Sequence, residues 1–404
     1  MTPADPLRVA FVCQNDFGAP TEKQALGYAE QLLERGHDAL IMFSRDAATA
    51  RTEGADRVPR LQLHHYEFRG PRLRRGDVRA LVNFQPTLIH AFNPRVLTIS
   101  AARELQRASG APVFVHFEDD EWNPPPQGFP GEQFYLPTAR WVRRHAWPLQ
   151  PSLWWQATQW SLRWVQRNAL AFDALTPVLA AEVKKRLGRE CAVVLPITPR
   201  RLADGDVADA IELPEMDGLV VALTGTILPV YLPDLRTGLD AIAQVQRRGH
   251  AVSFLHAGDT FGFDPMRLAA EAGLAPGSAH FLGYRPFREM PAILRRADIL
   301  IQPGPPSEFN RLRLPSKMQT YLQSGTPTVT FAVGFGELLE DGRDVLKTHT
   351  AEPSELADRI VALLQDPELA ARVGAGGRHA AARLFDPAAN TEALIAHYRR
   401  SLGR

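Results

Sequence analysis

The stretch "LRVAFVCQNDFGAPTEKQALGYAEQLLERGHDALIMF" (residues 7–43) decides the fold. Residues 7–13 are a continuous apolar run, the pattern of a strand covered on both faces. A loop follows. The next segment carries Ala25, Tyr28, Ala29 and Leu32 at helical spacing and stops at Gly36. Residues 38–43 then read as a second strand. The same order returns two hundred residues later. "LVVALTG" (219–225) is an apolar strand, "LRTGLDAIAQVQRRGH" (235–250) a helix stopped at Gly249, and "VSFLHAG" (252–258) a strand. Each half opens on a βαβ unit, which predicts a parallel sheet in each.

More strands extend both halves: "TLIHAF", "PVFVHF" and "AVVLP" in the first, "HFLGY", "DILIQP" and "TPTVTFA" in the second. The polar, Pro- and Gly-bearing segment 197–218 reads as a linker. The expected class is α/β, with two Rossmann-like, doubly wound parallel-sheet domains facing a cleft. Residues 1–200 form the first domain and 201–386 the second. After Pro387, residues 387–404 form one more helix.

Composition narrows the function. The 404 residues are 45% hydrophobic and carry a net charge of +1, which does not suggest a nucleic-acid binder. Cys13 and Cys191 are the only cysteines, so a disulfide framework is not expected. The amino terminus lacks a signal-peptide pattern, and no apolar run approaches the ~20 residues that span a bilayer. A cytoplasmic protein, soluble or peripheral at the inner membrane face, is the expectation.

In parallel sheets ligands bind beyond the carboxyl ends of the strands, so the strand-to-helix loops are the places to search. The first loop offers Gly18 for close backbone approach and Thr21 as a helix cap, or simply a tight turn. Neither a G-x-G-x-x-G nor a Walker lysine motif is present. After "VFVHF", His116 is followed by Glu118, Asp119, Asp120 and Glu121. That run suits binding of hydroxyls or polarisation of an acceptor; a solvated acidic loop is the plain alternative. His90 is a weaker second candidate. Gly225 and Thr226 turn the second domain's first loop toward a phosphate or sugar. In "SEFNRLRLPSKMQTYLQSGTP" (307–327), Ser316 is expected to cap a helix, Lys317 to add a point charge, and Arg311 and Arg313 to add forked donors. Cations at a helix amino end oppose the macrodipole and call for an anion. Glu308 is placed to accept from sugar hydroxyls. Glu337, after Gly334 and Gly336, is either a helix cap or a hydroxyl ligand.

In series, "HFLGYRPFREMPAILRRADILIQPG" and "LPSKMQTYLQSGTPTVTFAVGFGELLEDGRDVL" resemble the retaining nucleotide-sugar glycosyltransferases of family 4, which have the GT-B fold. The resemblance implies transfer of a hexose-type group from a nucleoside diphosphate sugar to a glycan or lipid-linked acceptor. It implies no cofactor and no metal. Ser316 and Lys317 then fall where the diphosphate is held, and Glu337 at the glutamate of the glycine-rich turn. His116 falls near the donor sugar, and with Glu308 is a candidate for catalysis. Gly18, Thr21, Asp119 and Glu121 fall on the acceptor side. The final helix crosses back to the first domain. Departures are specific: Thr320 stands where the family's second glutamate is common, Glu308 lies too far upstream for the first, and "TILPVYLPDLR" lacks the usual Arg/Lys pair. Arg311 and Arg313 are expected to supply that charge. An epimerase on the same fold, or a non-catalytic partner in glycan assembly, are the other readings.

All seven tryptophans lie between Trp122 and Trp164, and no acid occurs from Gln133 through Phe172. This insertion (122–168) suits an inserted packed helix, a lid, or a membrane contact through 138–168. Leu153, Trp160 and Trp164 are expected on one face.

Overall fold

The computed structural model describes residues 5–13, 20–44, 58–69, 72–122, 150–197, 211–260 and 262–403, with the side chains of 20–22 and 150–155 set aside. The chain divides into two compact units. Unit 1 is Met1–Leu202 with Asp386–Arg404; unit 2 is Ala203–Phe385.

Unit 1 runs β1 (Arg8–Cys13), α1 (Pro20–Glu34), β2 (Asp38–Ser44), β3 (Gln62–Tyr66), a small hairpin of β4 (Phe68–Arg69) and β5 (Arg72–Leu73), and α2 (Arg75–Phe84). It continues with β6 (Leu88–Phe92), α3 (Val96–Ser109), β7 (Val113–Phe117), α4 (Gln150–Asn168), β8 (Ala171–Ala174), α5 (Pro177–Leu187) and β9 (Cys191–Val193). The seven-stranded sheet has the order β3-β2-β1-β6-β7-β8-β9, and every pairing is parallel.

Unit 2 runs β10 (Leu219–Thr224), α6 (Leu232–Arg247), β11 (Val252–Ala257), α7 (Pro265–Ala272), β12 (Ala279–Phe281), α8 (Met290–Arg296) and β13 (Ile299–Gln302). Then come α9 (Glu308–Leu312), α10 (Lys317–Ser324), β14 (Thr328–Phe331), β15 (Leu346–Thr348), α11 (Pro353–Gln365) and α12 (Pro367–Leu384). Its sheet has the order β12-β11-β10-β13-β14-β15, again parallel. Finally α13 (Pro387–Leu402) returns to unit 1, where Leu394, Ile395 and Tyr398 join the core with Tyr28 and Phe114. Asp386 caps it by accepting from the Ala389 amide at 2.6 Å.

The apolar runs that define β1 and β10 are buried almost throughout, as a two-faced sheet requires. Both cysteines are free. Among the described residues no helix is long and apolar enough to cross a membrane.

The tryptophan-rich segment needs a correction. Residues 123–149, with most of the expected membrane segment, lie outside the described residues, as does the side chain of Leu153. On the visible turns of α4 the buried side is Ser161, Leu162 and Val165, while Trp160 is exposed and meets Arg103, whose guanidinium lies 5.6 Å from the ring. Aliphatic residues fill the core side. Trp160 lies outside it, against a cation, and Trp164 is half-buried.

Candidate active site

In unit 2 three loops at strand carboxyl ends carry the candidates. Gly225 follows β10, Lys317 opens α10, the second helix after β13, and Glu337 follows β14. Tyr321 pins α10 to the first of these: its Oη accepts from the Thr224 amide at 2.6 Å, and burial pushes its hydroxyl up to about 12. That anchor sets the first turn of α10 beside Gly225. Gly225 has φ +100°, and a Cβ there would sit 3.3 Å from Cε and 3.4 Å from Nζ of Lys317. The glycine therefore makes room for the ammonium group. His256 holds the turn from behind. Its Nε2 lies 3.0 Å from the Gly225 carbonyl oxygen, which can only accept, so this nitrogen carries the proton. Burial, with Lys317 nearby, pulls the imidazole down to about 4, so it is neutral.

Lys317 itself is half-buried. Burial first, then the neighbouring Arg313, pull its ammonium down to about 7, against the attraction of Asp234. A desolvated cation at a helix amino end, with no carboxylate bonded to it in the described contacts, is an anion-binding arrangement.

The arginines behave differently from expectation. Arg313 is buried. Its Nε donates to Asn310 Oδ1 at 2.6 Å and its Nη2 to Asp234 Oδ2 at 3.2 Å. Its guanidinium carbon lies 4.6 Å from the Phe309 ring centroid and 4.8 Å from that of Tyr231. A guanidinium so committed is a brace between loops, not an open phosphate fork. Burial raises the Asp234 carboxyl in spite of Arg313 and Lys317. Arg311 pairs with Glu308, donating through Nε and Nη2 at 2.7 and 2.5 Å. The exposed Ser316 makes no capping bond and has helical dihedrals, so the expected cap is absent. Without that oxygen, the first amides of α10 lack a side-chain acceptor from this residue. Thr226 is exposed beside Gly225.

Glu337 caps the 3-10 turn Gly334–Leu338, accepting from the Gly334 amide at 3.0 Å. Gly334 has φ +62°, and a Cβ there would meet the Asn310 carbonyl oxygen at 2.5 Å and that of Arg311 at 2.6 Å. Gly334→Ala is therefore expected to destabilise unit 2 by about 1–3 kcal/mol, a shift readable in urea unfolding.

In unit 1, Gly18 and the side chain of Thr21 lie outside the described residues. The acidic run after β7 is not a solvated loop. Glu118, Asp120 and Glu121 are buried. Glu118 accepts from Gln24 Nε2 at 3.3 Å and from Asn93 Nδ2 at 2.8 Å. Arg95 Nε lies 3.3 Å from Glu121, and its Nη2 3.8 Å from Asp119. Asn93, with φ +71°, turns the loop after β6 toward this cluster.

His116 points into the sheet interior. It is fully buried, and its Nδ1 hydrogen-bonds Asp173 Oδ1 on the neighbouring strand. His90 Nε2 lies 3.0 Å from Asp173 Oδ2, and its Nδ1 lies 2.6 Å from Tyr398 Oη of α13. His397 Nε2 is 3.9 Å from the same carboxylate. Burial alone would raise the Asp173 carboxyl; attraction to His90 and His116 and their hydrogen bonds outweigh it and hold it well below the usual carboxylate range. His116 Nε2 has no hydrogen-bond partner among the described residues. The ligand atoms of His90, His116 and Asp173 lie within 4.8 Å of one another, close enough for a cation, but they already bind each other. Asp173 escaped sequence reading. Its only signal is one carboxylate inside the apolar run "ALAFDAL".

Comparisons with known proteins agree with this layout. Residues 21–198 match the family described as glycosyl transferase 4-like domain, and residues 219–366 match glycosyl transferases group 1. A 2-deoxystreptamine glucosyltransferase of Streptomyces kanamyceticus is 28% identical over 257 residues, 60% of this chain. The chain spans 63% of that relative's length. Anabaena Alr3699/HepE, crystallised with UDP and glucose, superposes with a TM-score of 0.68 at 16% identity, covering 97% of this chain and 99% of its own. Sucrose-phosphate synthase from Thermosynechococcus elongatus does so at 0.66 and 14%, covering 98% and 99%. At such identities the structural likeness shows the fold, two parallel-sheet α/β units of GT-B type. With a 4-like domain followed by a group 1 domain, the chain belongs to the glycosyltransferases.

Proposed function

We propose that the protein transfers a hexosyl group from a nucleoside diphosphate sugar, UDP-glucose or a close analogue, to an acceptor held by unit 1, with retention of configuration. The carrying observation is the Lys317–Gly225 arrangement: a desolvated ammonium at the amino end of α10, with a glycine leaving it room. The leaving diphosphate gains charge as the glycosidic bond breaks, and the ammonium and the helix amides stabilise that charge. Glu337 sits on the next loop, where it caps its own turn and orders the backbone around the donor. The relatives support the donor class, since one is a glucosyltransferase and another binds UDP-glucose. No cofactor takes part in this reading. Of the carboxylates in the loop after β7, the partly exposed Asp119 is the group offered to acceptor hydroxyls, while the buried Glu121 holds Arg95 beside it; the acceptor is a glycan, a lipid-linked sugar or a small polyol.

The test is a thermal-shift panel of nucleoside diphosphates and their sugars, followed by donor turnover. UDP and UDP-glucose are expected to raise the unfolding temperature by mass action, and UDP to be released on turnover. A flat response across the panel would discard the reading.

A further inference from the structure

The region from β4 through α2 carries a charge the transfer reaction does not use. Between residues 69 and 79 stand Arg69, Arg72, Arg74, Arg75 and Arg79, with Asp77 as the sole acid, in a chain whose net charge is only +1. All five arginines are exposed. Arg74 pairs with Glu67. The other four have no ion-pair partner among the described residues. The nearby acids are occupied elsewhere: Asp77 binds His64 Nε2 at 2.8 Å and the Glu67 amide at 3.0 Å, and Glu104 accepts from the Leu73 amide at 2.8 Å.

The placement is costly in three ways. Arg69 and Arg72 are direct partners across the β4–β5 ladder, where like charges repel. Arg75 and Arg79 stand four apart on α2, the spacing at which opposite charges stabilise a helix and like charges oppose it. Arg74 and Arg75 also crowd the amino end of that helix, whose cap residue makes no side-chain bond. An external anion removes all of these penalties together. Val82, exposed at 41%, continues the face of Arg75 and Arg79 at i+7.

These guanidinium groups are strung along a hairpin and a helix face and stand out in solvent. Such an array matches many phosphates spread over a plane better than one convergent anion. Because the hairpin and the start of α2 follow β3, they lie at the carboxyl-end side of the sheet, the side of the loops assigned to the acceptor. We infer that the β4–β5 hairpin and α2 form an electrostatic docking face for a bilayer rich in acidic phospholipids. The face holds unit 1 so that its strand-end loops meet that surface. This goes beyond the transfer reaction and needs neither donor nor turnover.

The test is flotation of the full chain with phosphatidylcholine vesicles and with vesicles of phosphatidylcholine and phosphatidylglycerol in equal parts. Binding is expected to the second alone and to weaken as salt rises. R75Q/R79Q and R69Q/R72Q are each expected to lower partitioning roughly 30-fold, two basic residues' worth. R247Q/R295Q, which removes the same charge from unit 2, is expected to change it little. Equal binding to both vesicles, no effect of the unit 1 variants, or an equal effect of the unit 2 pair would overturn the inference. Displacement by glycerol phosphate at matched ionic strength would also overturn it, by showing a discrete phosphate pocket. Circular dichroism on each variant separates misfolding from lost binding.

Discussion

Lys317→Ala is expected to lower kcat/KM for the nucleotide sugar roughly 10²–10³-fold, the usual cost of removing one group that stabilises a developing oxyanion. The same change should leave the empty protein at least as stable. The ammonium is half-buried beside Arg313, so its charge costs folding energy until an anion arrives. The sign follows from the depressed value. Between about 7 and the ordinary lysine value of about 10.4, the unfolded chain binds a proton that the folded chain does not. Stability of the empty protein therefore rises with pH across that window, and Lys317→Met should lose this rise. Diphosphate binding runs the other way: the ligand needs the ammonium charged, so binding takes up a proton above about pH 7 and weakens as pH climbs toward 9. Calorimetry in buffers of different ionisation heat reads that uptake directly. Lys317→Arg, charged throughout, should flatten the profile. A mutant as active as the wild type would remove Lys317 from the site.

Asp173→Ala is expected to cost about 3–5 kcal/mol, because it strands His90 and His116 in a dry core without their shared carboxylate. Differential scanning calorimetry should show the loss in unit 1, with the transition of unit 2 unmoved. The wild-type contribution is complete above the ordinary carboxylate value of about 3.9 and is lost as pH falls below it, since the folded value is depressed. Wild type and mutant should thus converge in acid. A mutant that melts with the wild type at neutral pH would show that the cluster contributes nothing net.

What could be read from the sequence was what repeats or runs long. β1 and β10 announce themselves as unbroken apolar runs, and the Arg-Gly-His stop after each first helix marks the two units. Two short strands of unit 1 did not show, β3 at the sheet edge and β8 inside it. β3 is "QLHHY", whose histidines blur its alternation, and β8 has four residues with an aspartate inside. That is why Asp173, which defines the surroundings of His116, went unseen. At the proposed donor site, Lys317 drew attention from position alone, because a cation at a helix start opposes the dipole. Arg313 followed the same rule and misled. Its partners, Asp234 and the rings of Tyr231 and Phe309, are far away in sequence or aromatic, and only tertiary structure brings them together. Ser316 failed for a local reason: it has already entered helical dihedrals, so its hydroxyl cannot serve as a cap.

The return of α13 to unit 1 bears on how the polypeptide is made. Ribosomes release residues in order, so β1 through β9 emerge first and wait while Ala203–Phe385 is synthesised. Throughout that interval the hollow that will receive Leu394, Ile395 and Tyr398 stays open, and His90 lacks its phenolic partner. Unit 2, continuous in the chain, can close before unit 1 is finished. The nascent half-built sheet is thus the stage at which chaperones have apolar surface to hold, and the last helix is the step that ends their access.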